Sequence, residues 1–334
     1  MNAWKDHLKA DPTEWLLEED NPSVRYLTLT GLLDRTRRDA EVSRARSAIM
    51  KSGAVPKIAA RLEGGTEAGA GRFYKDKYRG TAWQLIILAE HEADGRDARI
   101  EAACDYILAH SQDRESGGFS VSARAGGLGG RHGEVIPCLT GNMVWSLLKL
   151  GRGNDPRVQA GIRWISRYQR FDDGEGRPPA EWPYERYQMC WGAHSCFMGV
   201  VKSLKALSAV APRKRTPDMS AAIQRGCDYL LRHHVYKQSH NLARTARPGW
   251  RRLQFPLMYQ TDVLEVVNVL LDCGVVDGRM QEAIDLIADK QTTSGRWVLE
   301  STFNGRFLVD IEWRGRPSKW ITFRCLRALK RYYG

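Results

Sequence analysis

The sequence predicts an all-α protein, folded as an α/α toroid of about five to six helical hairpins around a central cavity. Two observations predict this fold: five segments are apolar on nearly all sides, and each of the first four is followed by an amphipathic segment. Strand signals are few, because alternating β-branched residues occur only in short, scattered stretches. An open superhelical stack of the same hairpins is the alternative arrangement.

The helices are expected in pairs along a single domain that spans residues 1–334. N-terminal helical pairs are expected over 1–75, beginning with a pair at 18–36 and 41–52, and repeat hairpins over 76–334. The apolar segments predict buried inner helices at 80–91, 138–151, 196–210, 259–274 and 319–333. The amphipathic segments predict outer helices, each opening on a capping Asp, at 97–112, 155–169, 218–234 and 277–291. The last inner helix is expected to close the ring against 11–19.

Charge and cysteine content restrict the partners and the compartment. The formal net charge of +12 favours anionic partners, including peripheral contact with a membrane surface. The sequence has no dense basic tail and no nucleic-acid-binding motif, so nucleic acid is not the expected partner. Seven irregularly spaced cysteines do not form a disulfide framework. Because no signal-peptide pattern and no run of eighteen apolar residues occurs, we expect a soluble, cytoplasmic protein that is not integral to a membrane.

Glycine-rich turns after the outer helices carry a repeated motif. Gln291, Gly295 and Trp297 have the Q-x-x-x-G-x-W form of squalene-hopene cyclases. A looser copy comprises Gln112, Gly117, Gly118 and Phe119. Over roughly residues 75–333 the chain resembles the α/α toroids of the terpenoid cyclase and protein prenyltransferase superfamily. The resemblance implies an enzyme acting on an isoprenoid, an isoprenoid diphosphate or another apolar small molecule, and prenyltransferase β-subunits imply a helical partner protein.

Thiols and one imidazole cluster at the starts of inner helices. The residues at or just before these starts are Cys138, Cys190, His194 and Cys196, with Asp262 at the matching position of a later helix. In a ring of hairpins, matching helix starts meet at one mouth of the cavity, so these side chains are expected to converge. Thiolate, imidazole and carboxylate groups are the ligands that suit zinc, and a helix N-terminus favours the thiolate.

The spacing of this cluster supports several interpretations. His194 and Cys196 resemble the D-x-C zinc motif of prenyltransferase β-subunits, which implies a zinc site completed by Asp262 or Cys138. Gln260 stands where that family has its third ligand, a histidine. The alternatives are hydrogen-bonded packing of the thiols, and a nucleophilic Cys196 with His194 as its base. The remaining histidines, among them His233, His234 and His240, are interpreted as surface or loop residues.

One carboxylate is the preferred candidate for a catalytic acid. The D-x-D-D motif of class II terpenoid cyclases is absent. Asp172, Asp173 and Glu175 occur in a glycine-rich turn, where such side chains usually face water. Asp262 lies beside an apolar helix near the expected cavity mouth, where burial would raise its pKa and suit it to donate a proton.

Aromatic and basic residues complete the predicted site. The aromatic residues expected to line the bore are Trp83, Trp145, Trp191, Tyr259 and Trp320. The basic residues expected to hold a diphosphate near the mouth are Arg186, Lys202, Arg247, Arg251 and Arg252. The leading hypothesis is a zinc-dependent enzyme of the terpenoid cyclase/prenyltransferase class. A noncatalytic toroid that binds a lipid or a partner protein is one alternative, and a carbohydrate-active α/α barrel using 171–187 is the other.

Overall fold

A computed structural model describes residues 3–62 and 72–334 and confirms an all-α protein over these ranges. The helices, in chain order, are α1 (Thr13–Leu16), α2 (Pro22–Gly31), α3 (Ala40–Ile49), α4 (Ala54–Leu62), α5 (Thr81–Glu90), α6 (Ala98–His110), α7 (Pro137–Lys149), α8 (Pro156–Tyr168), α9 (Gln188–Trp191), α10 (Phe197–Ser208), α11 (Pro217–Arg232), α12 (Val263–Asp272), α13 (Gln281–Asp289) and α14 (Lys319–Tyr333). The strands β1 (Lys237–Gln238) and β2 (Asn241–Thr245) form an antiparallel hairpin. No helix in the described ranges is long and apolar enough to cross a membrane.

The predicted inner helices are the buried ones. Every residue of α5 is buried, because its apolar residues occur at consecutive positions and not on one face. Inner helices contact one another in chain order: α5 packs on α7, α7 on α10, α10 on α12 and α12 on α14. The backbones of α7 and α10 approach so closely that a Cβ at Gly141 would lie 2.4 Å from the carbonyl carbon of Lys202.

Each predicted outer helix packs against the inner helix that precedes it. The contacting pairs are α5 with α6, α7 with α8, α10 with α11 and α12 with α13. Asp97 and Asp155 cap their helices as predicted, since each side chain accepts a hydrogen bond from a backbone amide of the first turn. The prediction was wrong for Asp218, because Thr216 caps α11. Asp277 caps a 3₁₀ turn, Gly278–Met280, which comes before α13.

The Q-x-x-x-G-x-W turn and its looser copy have the same construction. The side-chain amides of Gln291 and Gln112 donate to the carbonyls of Gly295 and Gly117, at 2.9 and 2.8 Å. The backbone amide at Trp297 then donates to a threonine hydroxyl of the following inner helix, and the amide of Phe119 does the same. Each turn therefore fastens the end of an outer helix to the next inner helix.

Residues near the two ends of the described chain lie together. Helix α14 packs against α2 and against an N-terminal 3₁₀ turn, Ala3–His7. The rings of His7 and Tyr333 stack with centroids 3.6 Å apart. The Gln291 amide donates to the carbonyl of Ala10 at 2.9 Å. The last helix was predicted to close against 11–19, whereas its contacts with the N-terminal region are made chiefly by α2 and this turn.

Candidate functional site

A cavity of about 770 Å³ lies at the N-terminal ends of α7 and α10, and we call it the Cys196 cavity. The β1–β2 hairpin and the loop that follows it form part of its wall. Its apolar and thiol lining includes Tyr74, Cys138, Cys190, Cys196, Phe197 and Tyr259. These residues come from stretches that are far apart in sequence, and the starts of the inner helices bring them together. A cavity of this size and lining suits a small apolar ligand.

The three thiols in this cavity differ in their ionisation. A hydrogen bond from the Cys190 thiol lowers the pKa of Cys196, and the backbone amides of Gly199 and Met198 at the start of α10 lower it further. The same hydrogen bond, together with burial, raises the pKa of Cys190. Burial raises the pKa of Cys138 to about 12. Cys196 is therefore the thiol of this group that favours the thiolate.

A carboxylate between two imidazoles forms the polar wall of the cavity. Asp173 Oδ1 lies 2.9 Å from Nδ1 of His194, and its Oδ2 lies 3.6 Å from Nε2 of His233. The Asp173 side chain is only 7% exposed, so the expectation that it faces water was wrong. Position 174 is a glycine with φ +87°, where an added Cβ would lie 2.7 Å from the His194 ring. The backbone at Gly174 therefore passes directly beside the His194 ring.

His233 corrects a second expectation from the sequence. It was interpreted as a surface or loop residue, but the imidazole is buried where it follows α11 and lines the Cys196 cavity. The sequence signal was its spacing from Tyr229, since four residues along a helix place both side chains on one face. The two rings lie 4.7 Å apart.

Asp262 lies apart from these groups. Its two carboxylate oxygens accept hydrogen bonds from the backbone amides of Glu265 and Gln254, each at 2.8 Å, so the side chain caps α12. Burial raises the pKa of Asp262 to about 7, as the sequence argument expected. It does not line the Cys196 cavity. The structure therefore does not bring Asp262 together with His194 and Cys196.

The structure contradicts the prediction that Lys202 holds a diphosphate at the cavity mouth. Its ammonium is fully buried and lies 2.6 and 2.7 Å from the two carboxylate oxygens of Glu265. Lys205 contacts the same carboxylate at 3.4 Å and pairs with Glu90 at 2.6 Å. Glu90 also pairs with Arg324 at 2.5 Å. A buried ion-pair network thus occupies the space between α5, α10, α12 and α14.

The predicted bore aromatics fall into three environments. Tyr259 lines the Cys196 cavity. Trp83 and Trp191 are packed in the core, where the Trp83 indole donates to the carbonyl of Tyr74 and the Trp191 ring contacts Trp164 and Tyr184. Trp145 and Trp320 line a different cavity. They do not form one aromatic wall.

That different cavity, the ion-pair cavity, has a volume of about 380 Å³ and lies at the C-terminal ends of α5, α7 and α10, against α12 and the first half of α14. The charged side chains that line it are Glu90, Glu92, Lys149, Lys205, Glu265, Asp272, Arg324 and Arg327. Each of them has an ion-pair partner in the structure. The Lys205 ammonium also lies 3.9 Å from the centre of the Trp145 ring.

Two cations face the Cys196 cavity. Arg247, which was predicted, lines the cavity together with Lys77, which was not. Neither forms an ion pair with a carboxylate in residues 3–62 and 72–334. Lys77 instead lies 4.5 Å from the ring centre of Tyr259. The other predicted mouth cations, Arg186, Arg251 and Arg252, are exposed and do not line this cavity.

The proposed zinc ligands do not form a metal site in the described part of the chain. No group of three or more His, Cys, Asp or Glu side chains there is arranged to hold a metal ion. Asp262 is occupied as a helix cap, and Nδ1 of His194 is bonded to Asp173. The donors present therefore do not fit the zinc site that the sequence resemblance implied.

Comparisons with known proteins find similarity in structure but not in sequence. No protein-family model matches the chain, and no curated protein matches it in sequence. A solved structure of a variant of the type II terpene cyclase MstE from Scytonema, in complex with its substrate geranylgeranyl dihydroxybenzoate, is similar to this chain with a TM-score of 0.43. The two are 12% identical, over 94% of this chain and 87% of that chain. Similarity at this level assigns neither a family nor an activity to the chain.

Proposed function

We propose that this protein is an enzyme that binds an isoprenoid, or a similarly apolar chain with an anionic end, in the Cys196 cavity. The observation that carries the proposal is the convergence of distant inner-helix starts on one open cavity that contains both apolar walls and reactive groups. The walls are formed by aromatic rings, and the reactive groups are the Cys196 thiolate and the Asp173–His194 pair.

The proposal includes the ring arrangement of the hairpins. The inner helices pack in chain order from α5 to α14, and α14 packs on α2, and these contacts are among those that a closed ring would contain. In such a ring the Cys196 cavity is one mouth and the ion-pair cavity is the other. The buried network around Lys202 separates them, so the substrate would occupy the first mouth and would not cross the bore.

The cations of the Cys196 cavity favour a ligand with an anionic group at one end. Arg247 and Lys77 face the cavity without a carboxylate partner, so a diphosphate or carboxylate would gain charge-assisted hydrogen bonds there. The apolar chain would then lie against Phe197, Trp250 and Tyr259. The proposal involves no metal, because the side chains of the described residues do not form a metal site.

The test is binding and conversion of farnesyl diphosphate, with a matched pair of substitutions. Ala246 lines the cavity, whereas Ala243 lies on the same segment, is exposed and does not line it. Ala246→Trp should fill the cavity and weaken binding roughly tenfold or more, while Ala243→Trp should leave it unchanged. Calorimetry measures the affinity, and mass spectrometry of the incubated ligand measures conversion.

Three outcomes contradict the proposal. If farnesyl diphosphate and shorter or longer isoprenoid diphosphates do not bind, the ligand class is wrong. If binding is unaffected by Ala246→Trp in a folded variant, the site is wrong. Tight binding without any product would show that the cavity belongs to a noncatalytic lipid-binding protein.

A further inference from the structure

His233 lines the Cys196 cavity, and one hydrogen bond fixes the role of each of its ring nitrogens. Its Nδ1 lies 2.8 Å from the carbonyl oxygen of Lys237. A carbonyl oxygen only accepts, so Nδ1 carries the proton and donates it. In the neutral ring, Nε2 then carries a lone pair and can only accept a hydrogen bond.

No donor among residues 3–62 and 72–334 reaches the accepting nitrogen. The side chain is 8% exposed, and Nε2 is buried without a hydrogen-bond partner. Oδ2 of Asp173 lies 3.6 Å from Nε2. A carboxylate oxygen is itself an acceptor, so it cannot satisfy the lone pair of this nitrogen. A buried polar atom without a partner in a ligand-sized cavity indicates a position where a ligand atom belongs.

The surroundings of the imidazole keep it neutral and fixed. Burial lowers the pKa of His233, and the positive charge of Arg232 acts in the same direction. The carbonyl of Lys237 and the carboxylate of Asp173 oppose this shift, whereas His194 adds to it. The rings of Phe197 and Tyr229 pack on the imidazole at 5.2 and 4.7 Å. The lone pair of Nε2 is therefore held in one direction.

We infer that the ligand of the Cys196 cavity is an apolar alcohol whose hydroxyl group donates a hydrogen bond to Nε2 of His233. This inference rests on the proposed function and narrows its substrate class from isoprenoids and similar apolar chains with an anionic end to those that carry a hydroxyl group. An ether or a hydrocarbon of the same length offers no donor and leaves the nitrogen unpaired. The site therefore distinguishes an alcohol from its ether by one hydrogen bond.

The experiment compares farnesol with farnesyl methyl ether on the full-length protein. Wild-type protein should bind farnesol about tenfold more tightly than the ether, which is the effect of one hydrogen bond to a buried acceptor. His233→Asn removes Nε2, so both probes should bind this variant with the affinity that the ether shows for wild type. Equilibrium binding is measured by calorimetry, and thermal unfolding shows whether the variant is folded.

His110→Asn is the matched control. His110 also stands at the end of an outer helix, and its Nδ1 also contacts a backbone carbonyl, that of Gly127, but it does not line the Cys196 cavity. This variant should keep the tenfold preference for the alcohol. The comparison of the two probes on wild-type protein needs no variant, so it tests the inference even if His233→Asn does not fold.

The outcomes separate the inference from the proposed function. Equal affinities for farnesol and its ether on wild type overturn the inference, as does a preference for farnesol that persists in folded His233→Asn. Binding of farnesyl diphosphate without binding of farnesol also overturns it and leaves the proposed function intact. If no isoprenoid probe binds, the proposed function fails and the inference fails with it.

Discussion

The two cavities at opposite ends of α7 and α10 differ in how their charged groups are satisfied. In the ion-pair cavity every lining charge has a partner of opposite sign. In the Cys196 cavity Arg247 faces the space without a described carboxylate partner, and Nε2 of His233 has no donor. Groups that are fully paired hold the helices together, whereas groups that lack partners are available to a ligand. The comparison assigns stability to one end and binding to the other.

The largest expected effect is on stability, at the network between the two cavities. Lys202→Met should lower the free energy of unfolding by about 3–5 kcal/mol, because it removes the close ion pair of the buried Glu265 carboxylate and leaves the longer one to Lys205. Replacing both partners, Lys202→Met with Glu265→Leu, should recover most of that loss. Urea denaturation measures both variants.

Lys77→Met is the control for that stability measurement, since Lys77 is an exposed lysine at the Cys196 cavity. We expect a change within about 0.5 kcal/mol for this variant. A loss at Lys77 as large as that at Lys202 would end the distinction between a stabilising end and a binding end.

Two buried carboxyl groups, Glu90 and Asp262, are expected to make the stability of the protein depend on pH in opposite directions. Burial would raise the pKa of Glu90, but the charges of Arg324 and Lys205 lower it to about 2. Asp262 is equally buried and has no ion-pair partner among the described side chains, so burial raises its pKa to about 7. The unfolded chain ionises Asp262 near pH 4, so its contribution to stability is present below that pH and is lost as the pH rises to about 7.

Asp262→Asn should therefore abolish this pH dependence. Relative to the variant, wild type should lose on the order of a few kcal/mol of unfolding free energy between about pH 4 and pH 7. Glu90 acts in the opposite direction, because its contribution is lost as the pH falls below about 4. Urea denaturation at a series of pH values is the measurement, and parallel curves for wild type and Asp262→Asn would show that the carboxyl ionises normally.

Thiol reactivity separates Cys196 from the thiols of the core. At pH 7 iodoacetamide should alkylate Cys196 at least roughly a hundredfold faster than Cys104, because only the thiolate reacts. Burial raises the pKa of Cys104 to about 12 on the outer helix α6. Peptide mass spectrometry over time gives both rates in one sample. Similar rates, or faster labelling of Cys104, would show that Cys196 is not a thiolate at pH 7 and does not serve as one in the proposed site.

The smallest expected effect concerns the anionic end of the ligand. Arg247→Gln should weaken binding of farnesyl diphosphate about tenfold, because a charge-assisted hydrogen bond is lost. Arg244 lies three residues earlier, is exposed and does not line the cavity, so Arg244→Gln should bind normally. Calorimetry compares the two variants. Equal effects would mean that the arginines act through the general positive charge of this surface.

The pattern of hydrophobic residues was sufficient to predict the helical hairpins. It was not sufficient to predict the polar contacts between them. The run at 80–91 is apolar on all sides, and burial is the only arrangement that removes all of those side chains from water, so α5 was predictable. Helix α4 was missed because it contains Pro56. The β1–β2 hairpin was missed because its strands are short and half exposed, so they show no alternation.

The chemistry of the site depends on pairings between distant residues. Asp173 and His233 are sixty positions apart, and no sequence pattern around either residue indicates that the two side chains are in contact. A partial signal existed for Lys202 and Glu265, since each is a charged residue inside an apolar helix and such residues require an opposite charge. That signal could have predicted a buried pair, although not which carboxylate accepts which ammonium.

The stacking of His7 on Tyr333 has a consequence for re-engineering the chain. Because the two ends of the described fold are in contact, a short linker could join them without spanning the molecule. New termini could then be opened in the exposed connection at 211–216, between α10 and α11. A circular permutant of this design would keep every hairpin contiguous except α10–α11, and the former N-terminal segment would follow α14 directly in the chain.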